Sequence, residues 1–191
     1  MRKAIALLGL AACILLACEK NTVQNRAYFD SLIQANHQYL LGKKMKLLKY
    51  SQVGLATDSL TFTPDSLAWA NELEIFRQLD VFQKPAFKDA YTVTRQVKDR
   101  KSNLLTTEYR ANRPVPVSYV KFYYMDQLKN LKKIEAAYQE RNALYATHRR
   151  LTLLFDDVNG RAVISGYSLS GLQRMILSDS TMYDIEATVI R

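Results

Sequence analysis

Cysteine is nearly absent from this chain of 191 residues: there are two, Cys13 and Cys18, and none beyond Cys18. The body that follows cannot be stapled by an internal disulfide or built around a thiolate zinc site, so its stability must come from an apolar core. Histidine is as scarce. His37 and His148 are the only two, with 110 residues between them and no Cys, Asp or Glu at ligand spacing from either. A zinc site or a histidine base needs such groups to converge, so each histidine reads as an ordinary polar side chain, and no metal is expected. Six glycines and four prolines are too few for a collagen-like or low-complexity chain, and no internal repeat is visible. Long apolar runs are also missing. After Leu16 no stretch approaches the roughly 20 residues of a membrane-spanning helix.

The one apolar run lies at the start. Arg2 and Lys3 precede thirteen uncharged residues, Ala4 to Leu16. A basic start, a short apolar stretch and small residues near its end are the parts of a secretory signal peptide. The run ends in Leu15-Leu16-Ala17-Cys18, with charged Glu19 directly after. This resembles the lipobox of bacterial lipoproteins, and the likeness covers the first eighteen residues only. It implies cleavage before Cys18, a diacylglyceryl group on its thiol and an acyl group on the new amine. Leu10-Ala11-Ala12-Cys13 is a competing match, and it avoids the bulky Leu16 before the small residue. Cutting there leaves an apolar core of about six residues, short of the usual minimum of about seven. A plain signal peptide and an uncleaved anchor remain the other readings of the segment. The expected division is a cleaved leader over 1–17, a lipidated tether over 18–27 and one domain over 28–191.

Lys and Arg number 27 against 18 Asp and Glu, a net charge of +9. Without Arg2 and Lys3, 25 basic residues face the same 18 acidic ones. That balance suits solubility in general, and anionic partners in particular: lipid headgroups, a cell-wall polymer or an acidic protein. An exported protein would seldom meet nucleic acid, so none is expected.

Along the body, Phe29, Leu32, Ile33, Asn36, Leu40 and Leu47 recur at helical spacing, predicting a helix from about 24 to 50 that ends before Gly54. A second helix is punctuated by Thr63 as cap, Pro64 at the first position and Asp65 at the positive end. Trp69, Leu73, Phe76, Leu79 and Phe82 form its apolar stripe, and Lys84-Pro85 stops it. Asp58 to Phe62, between the two, reads as a short strand. After Phe87 alternation takes over: Tyr91 to Val97, Leu105 to Tyr109, Val117 to Met125, Leu151 to Phe155 and Tyr183 to Val189. Asn159-Gly160 predicts a type I′ hairpin, with Ile164 and Tyr167 on the return strand. Residues 126–145 fit a helix or two strands turning at Arg141-Asn142, and strands are favoured because their neighbours form a meander. The fold expected is α+β: two N-terminal helices packed on an antiparallel β-meander of about six or seven strands. That layout resembles periplasmic lipoprotein carriers.

No stretch supplies convincing catalytic chemistry. Ser168 in "GYSLSG" has Gly166 before it but Ser170 where a nucleophile elbow needs its second glycine. "DDVNG", Asp156 to Gly160, lacks the first acid of a calcium loop, since Phe155 stands there, and its twelfth position is Gly166. Glu72 and Glu74 are two apart on a helix and point to different sides. In "GKKMKLLKY", Lys43, Lys44, Lys46 and Lys49 among Met45, Leu47 and Leu48 could lie on an anionic membrane surface as a basic amphipathic helix. They could equally face water from a helix packed on the sheet. Eight of the twelve tyrosines fall from Tyr109 onward, as core and cross-strand residues or as the lining of a ligand site.

The reading that follows is a membrane-anchored lipoprotein acting as a non-catalytic binding or scaffold component of the cell envelope. It carries no cofactor beyond the covalent lipid on Cys18, meets an envelope protein partner, and favours the outer membrane. The alternative is a carrier or chaperone for a hydrophobic ligand or lipid. An enzyme whose site assembles from scattered residues stays open.

Overall fold

The structure is a computed structural model that describes residues 22–81, 85–87, 89–175 and 179–190. The chain runs α1 (Thr22–Gly42), β1 (Lys46–Val53), β2 (Ala56–Phe62), α2 (Ser66–Arg77), a 3-10 turn (Pro85–Phe87), then β3 (Tyr91–Lys98), β4 (Leu105–Ala111), β5 (Val117–Tyr124), β6 (Leu131–Arg141), β7 (Tyr145–Val158), β8 (Arg161–Met175) and β9 (Thr181–Ile190). All nine strands join one antiparallel sheet in the order β2-β1-β9-β8-β7-β6-β5-β4-β3.

The α+β class stands, with two corrections. The sheet has nine strands, not six or seven. The helices are not both N-terminal, because α2 follows the β1–β2 hairpin. That position is topological: β2 and β3 are the two edges of the sheet, so the link between them must cross a whole face, and α2 makes the crossing.

The first helix starts earlier and stops earlier than its spacing predicts. It begins at Thr22, inside the stretch expected to be tether. It ends at Gly42, where Met45 N–H donates to the Leu40 carbonyl and Lys44 takes a positive φ of 50°. Leu47 fits a helical stripe and a strand equally well. Pairing on both sides, with β2 and with β9, decides for the strand. At α2 the cap is Asp65, not Thr63: its Oδ1 accepts from Ala68 N–H at 2.8 Å. The stripe forms as expected, with Trp69, Leu73, Phe76 and Leu79 buried, while Phe82 and Lys84 lie outside the described residues. The helix closes at Arg77 with Gln78 as its cap, before Pro85.

Several expectations hold. Residues 58–62 belong to β2 and 131–141 to β6, so the ambiguous segment is strand. Its turn is closed by the Asn142 side chain, which accepts from Leu144 and Tyr145 N–H. Asn159 and Gly160 have φ of 52° and 75°, as a type I′ hairpin requires.

Both helices cover one face of the sheet. An inward row crosses it through Thr107, Phe122, Ile134, Leu153, Tyr167, Ala187 and Lys49. Phe29 of α1 meets Phe122 edge-on, with centroids 6.4 Å apart, and Phe76 of α2 meets Tyr167 at 5.5 Å. Asn36 is a buried polar side chain in this core, 3% exposed. Its Oδ1 accepts from Ile164 N–H at 2.6 Å, and its Nδ2 donates to the Leu32 and Ala162 carbonyls. Pairing of β8 with β9 ends at Gly166, so the helix amide satisfies backbone groups of β8 that β9 does not reach.

Replacing Asn36 with Ala strands those groups and should cost about 1–3 kcal/mol. The expected readout is a lower urea midpoint with an unchanged slope.

Candidate functional site

The outer face, away from the helices, carries the charge. On β4, β5 and β6 alternation points Glu108, Lys121 and Glu135 the same way, and the register sets them side by side. The neighbouring rows add Thr106, Tyr123 and Lys133 on one side and Arg110 with Tyr119 on the other. The strand β3 bulges between Thr94 and Val97, with Gln96 at a φ of 55°. The bulge brings Val97 opposite Thr106, whose hydroxyl donates to the Val97 carbonyl at 2.9 Å.

The β3–β4 turn overhangs this surface. Asp99 Oδ2 accepts from Ser102 Oγ at 2.8 Å and from Lys101 N–H at 3.2 Å. The Ser102 hydrogen bond, more than any other contact, holds the Asp99 carboxyl below its usual range. Asp99 is thus spent on shaping the turn. The result is a groove of about 840 Å³ lined by six basic and three acidic side chains, so its net charge is positive.

Its floor is one connected set of polar contacts. Tyr123 is 7% exposed, and its hydroxyl donates to Glu135 at 2.6 Å. Lys133 Nζ pairs with Glu135 at 2.8 Å and lies 4.1 Å from the centroid of the Tyr123 ring, with Lys121 Nζ 5.0 Å from the same ring. Glu108 pairs with Arg110 and, at 3.9 Å, with Lys121. Burial raises the Glu135 carboxyl, but the hydrogen bonds from Lys133 and Tyr123 outweigh it and hold the group below its ordinary 4.5. Burial first, and the Glu135 hydrogen bond second, push the Tyr123 phenol well above 10. It stays protonated, and the arrangement is built to hold charge, with no base beside a nucleophile.

A second polar cluster lies on the helix side. Lys49 pairs with Glu72 of α2 at 2.8 Å, and Tyr167 also donates to Glu72. This corrects the expectation of one basic helix face. Lys43 and Lys44 are exposed in the turn after α1, Lys46 is exposed on β1, and Lys49 is turned inward under α2. A third cluster gathers at Glu140, which accepts from Tyr138 and Tyr145. Burial, then that hydrogen bond, pushes Tyr138 up to about 12.

The other candidates separate. Cys18 lies outside the described residues. Ser168 is mid-strand in β8 between Thr152 and Glu186, with no strand-to-helix turn. Gly166 is there for close approach, since a Cβ would stand 2.7 Å from the Ala187 carbonyl oxygen. His37 bonds the Ser66 carbonyl at 3.1 Å, and His148 sits on β7 between Gln139 and Leu172. Asp157 accepts from Gly160 N–H, as a turn residue. Glu72 faces the sheet, and Glu74 lies 4.0 Å from Arg77. Among the described residues no group of three metal-binding side chains forms, and no helix is long and apolar enough to cross a membrane. Sequence reading missed the groove. Its one local signal was Tyr119, Lys121 and Tyr123 sharing a face of a strand whose other face is also bulky.

Changing Tyr123 to Phe removes a hydrogen bond to a charged group, at a cost of about 1.5–3 kcal/mol. Because Glu135 sits below 4.5 when folded, its contribution is present above that pH and is lost as pH falls through the folded value. The variant should therefore lose less stability than the parent between about pH 7 and about pH 3, as read from urea midpoints. Comparison with protein families, curated proteins and solved structures finds no match to this chain.

Proposed function

We infer that the chain is a bacterial lipoprotein of the cell envelope, held to a membrane through acyl chains on Cys18, with an α+β domain that binds or scaffolds without catalytic turnover. The observation that carries this reading is Leu15-Leu16-Ala17-Cys18 at the end of a short apolar run. The described domain supports it by starting close behind, with α1 at Thr22, so the body would sit near the bilayer. Each buried methylene adds about 0.8 kcal/mol of membrane affinity, and several acyl chains together hold effectively for good. The outer membrane is the favoured location, and an envelope protein or an acidic wall polymer the favoured partner.

A binding role fits the domain better than a carrier role. Phe29, Ile33, Leu40, Trp69, Leu73 and Phe76 fill the space between helices and sheet, each at most 1% exposed. The hollow between α1 and the β7–β8 hairpin, about 260 Å³, is below the roughly 300–1,000 Å³ of ordinary ligand sites. The polar groove on the opposite face has that room.

Expressed in a bacterium fed labelled palmitate, the chain should incorporate label and sediment with membranes. Cys18→Ser should abolish both, and Cys13→Ser neither. Intact mass showing an unmodified Cys18 thiol in the parent would defeat the reading.

A further inference from the structure

We propose that the outer-face groove over β3–β6 binds an acidic oligosaccharide, a sugar chain bearing carboxylates, gripped by Lys98, Arg100 and Lys101 of the β3–β4 turn. This rests on the reading of the domain as a binding component and names its ligand class. It does not depend on whether Cys18 is acylated.

The sign of the ligand follows from what is left unpaired. Asp99 lines the groove, with its carboxylate bonded within its own loop to Ser102 and Lys101. Among the described residues no carboxylate lies within ion-pairing distance of Lys98, Arg100 or Lys101. All three are exposed and line the groove. Below them Lys121, Lys133 and Arg110 pair with Glu108 and Glu135, and Asp99 also acts on Lys121. Positive charge of this kind, concentrated on one concave surface, attracts an anion and speeds its arrival.

The kind of anion follows from the rest of the lining. About 840 Å³ lies within the roughly 300–1,000 Å³ of small-ligand sites, far more than a single ion needs. Glu108 and Glu135 stand in the floor beside Thr92, Thr94 and Thr106. Carboxylates repel a ligand made only of anionic groups, such as polyphosphate, but accept from hydroxyls, which a sugar supplies beside its charge. A bilayer surface fits poorly. Val97 is the one large aliphatic side chain in the lining, so nothing there would insert among acyl chains. A neutral sugar fits poorly as well. It binds largely by stacking on aromatic faces, and the Tyr123 ring is already occupied by Lys133 and Lys121.

The test is calorimetric titration of the full-length chain in detergent. The probes are oligogalacturonate, oligoalginate and a hyaluronan oligomer, with maltotetraose, inorganic polyphosphate and glycerophosphoglycerol, a soluble anionic lipid headgroup, as the other arms. At least one acidic sugar should bind and maltotetraose should not. The K98A/R100A/K101A variant changes three exposed side chains, and it should weaken binding on the order of 10-fold or more. Removing the same charge elsewhere, with K43A/K46A/R174A, should change it less than about 2-fold. The proposal is overturned if no acidic sugar binds, or if maltotetraose binds as well as the acidic sugars. It is also overturned if polyphosphate or the soluble headgroup binds more tightly than every sugar, or if the two triple variants lose affinity equally.

Discussion

The first helix, α1, is tied to the sheet through a side-chain amide. Strand β8 runs on toward its hairpin past the point where β9 can pair with it, and Asn36 supplies the missing partner from α1. The exchange is specific: one acceptor for a backbone N–H, one donor for a backbone carbonyl, with the Leu32 carbonyl taking another bond. Apolar contacts such as Phe29 on Phe122 would tolerate sliding, because dispersion and area burial have little direction. A buried amide with fixed partners does not. The angle at which α1 crosses the strands is therefore set at Asn36. The filled core beneath it follows, and so does the freedom of the opposite face to carry charge.

That opposite face is a small folded layer of its own. Tyr123 is as buried as a core residue, yet no helix covers it. Lys121 and Lys133 hold their ammonium groups over its ring, 5.0 and 4.1 Å from the centroid. The polar groups are satisfied in turn by Glu135 and Glu108. A sheet with water on one side normally shows simple polar alternation there. Here the alternation carries a tyrosine flanked by two lysines, each paired with a carboxylate.

The local elements were legible in the sequence, and their partners were not. Asn159-Gly160 announced its hairpin because the turn demands positive φ at both positions. The stripe from Trp69 to Leu79 announced its buried side because only a helix brings those spacings together. Three adjacent start signals, Thr63, Pro64 and Asp65, left the cap uncertain by two residues, and only Asp65 reaches an N–H. Leu47 failed for a different reason: it satisfies period two and period three to four alike, and the deciding partner, Val189, lies at the far end of the chain. The groove was hidden in the same way. Glu108, Lys121 and Glu135 are distant in sequence and become neighbours through the register of three strands, which no local pattern encodes.

The place of β9 between β8 and β1 orders the assembly of the molecule in time. The hairpin of β1 and β2, made early, has no seat in the sheet until β9 has been synthesised. Contacts of such long sequence separation form slowly, because the loop they close must be ordered first. A chain still lacking β9 therefore holds an unfinished edge, and the sheet is sealed only once that strand is available.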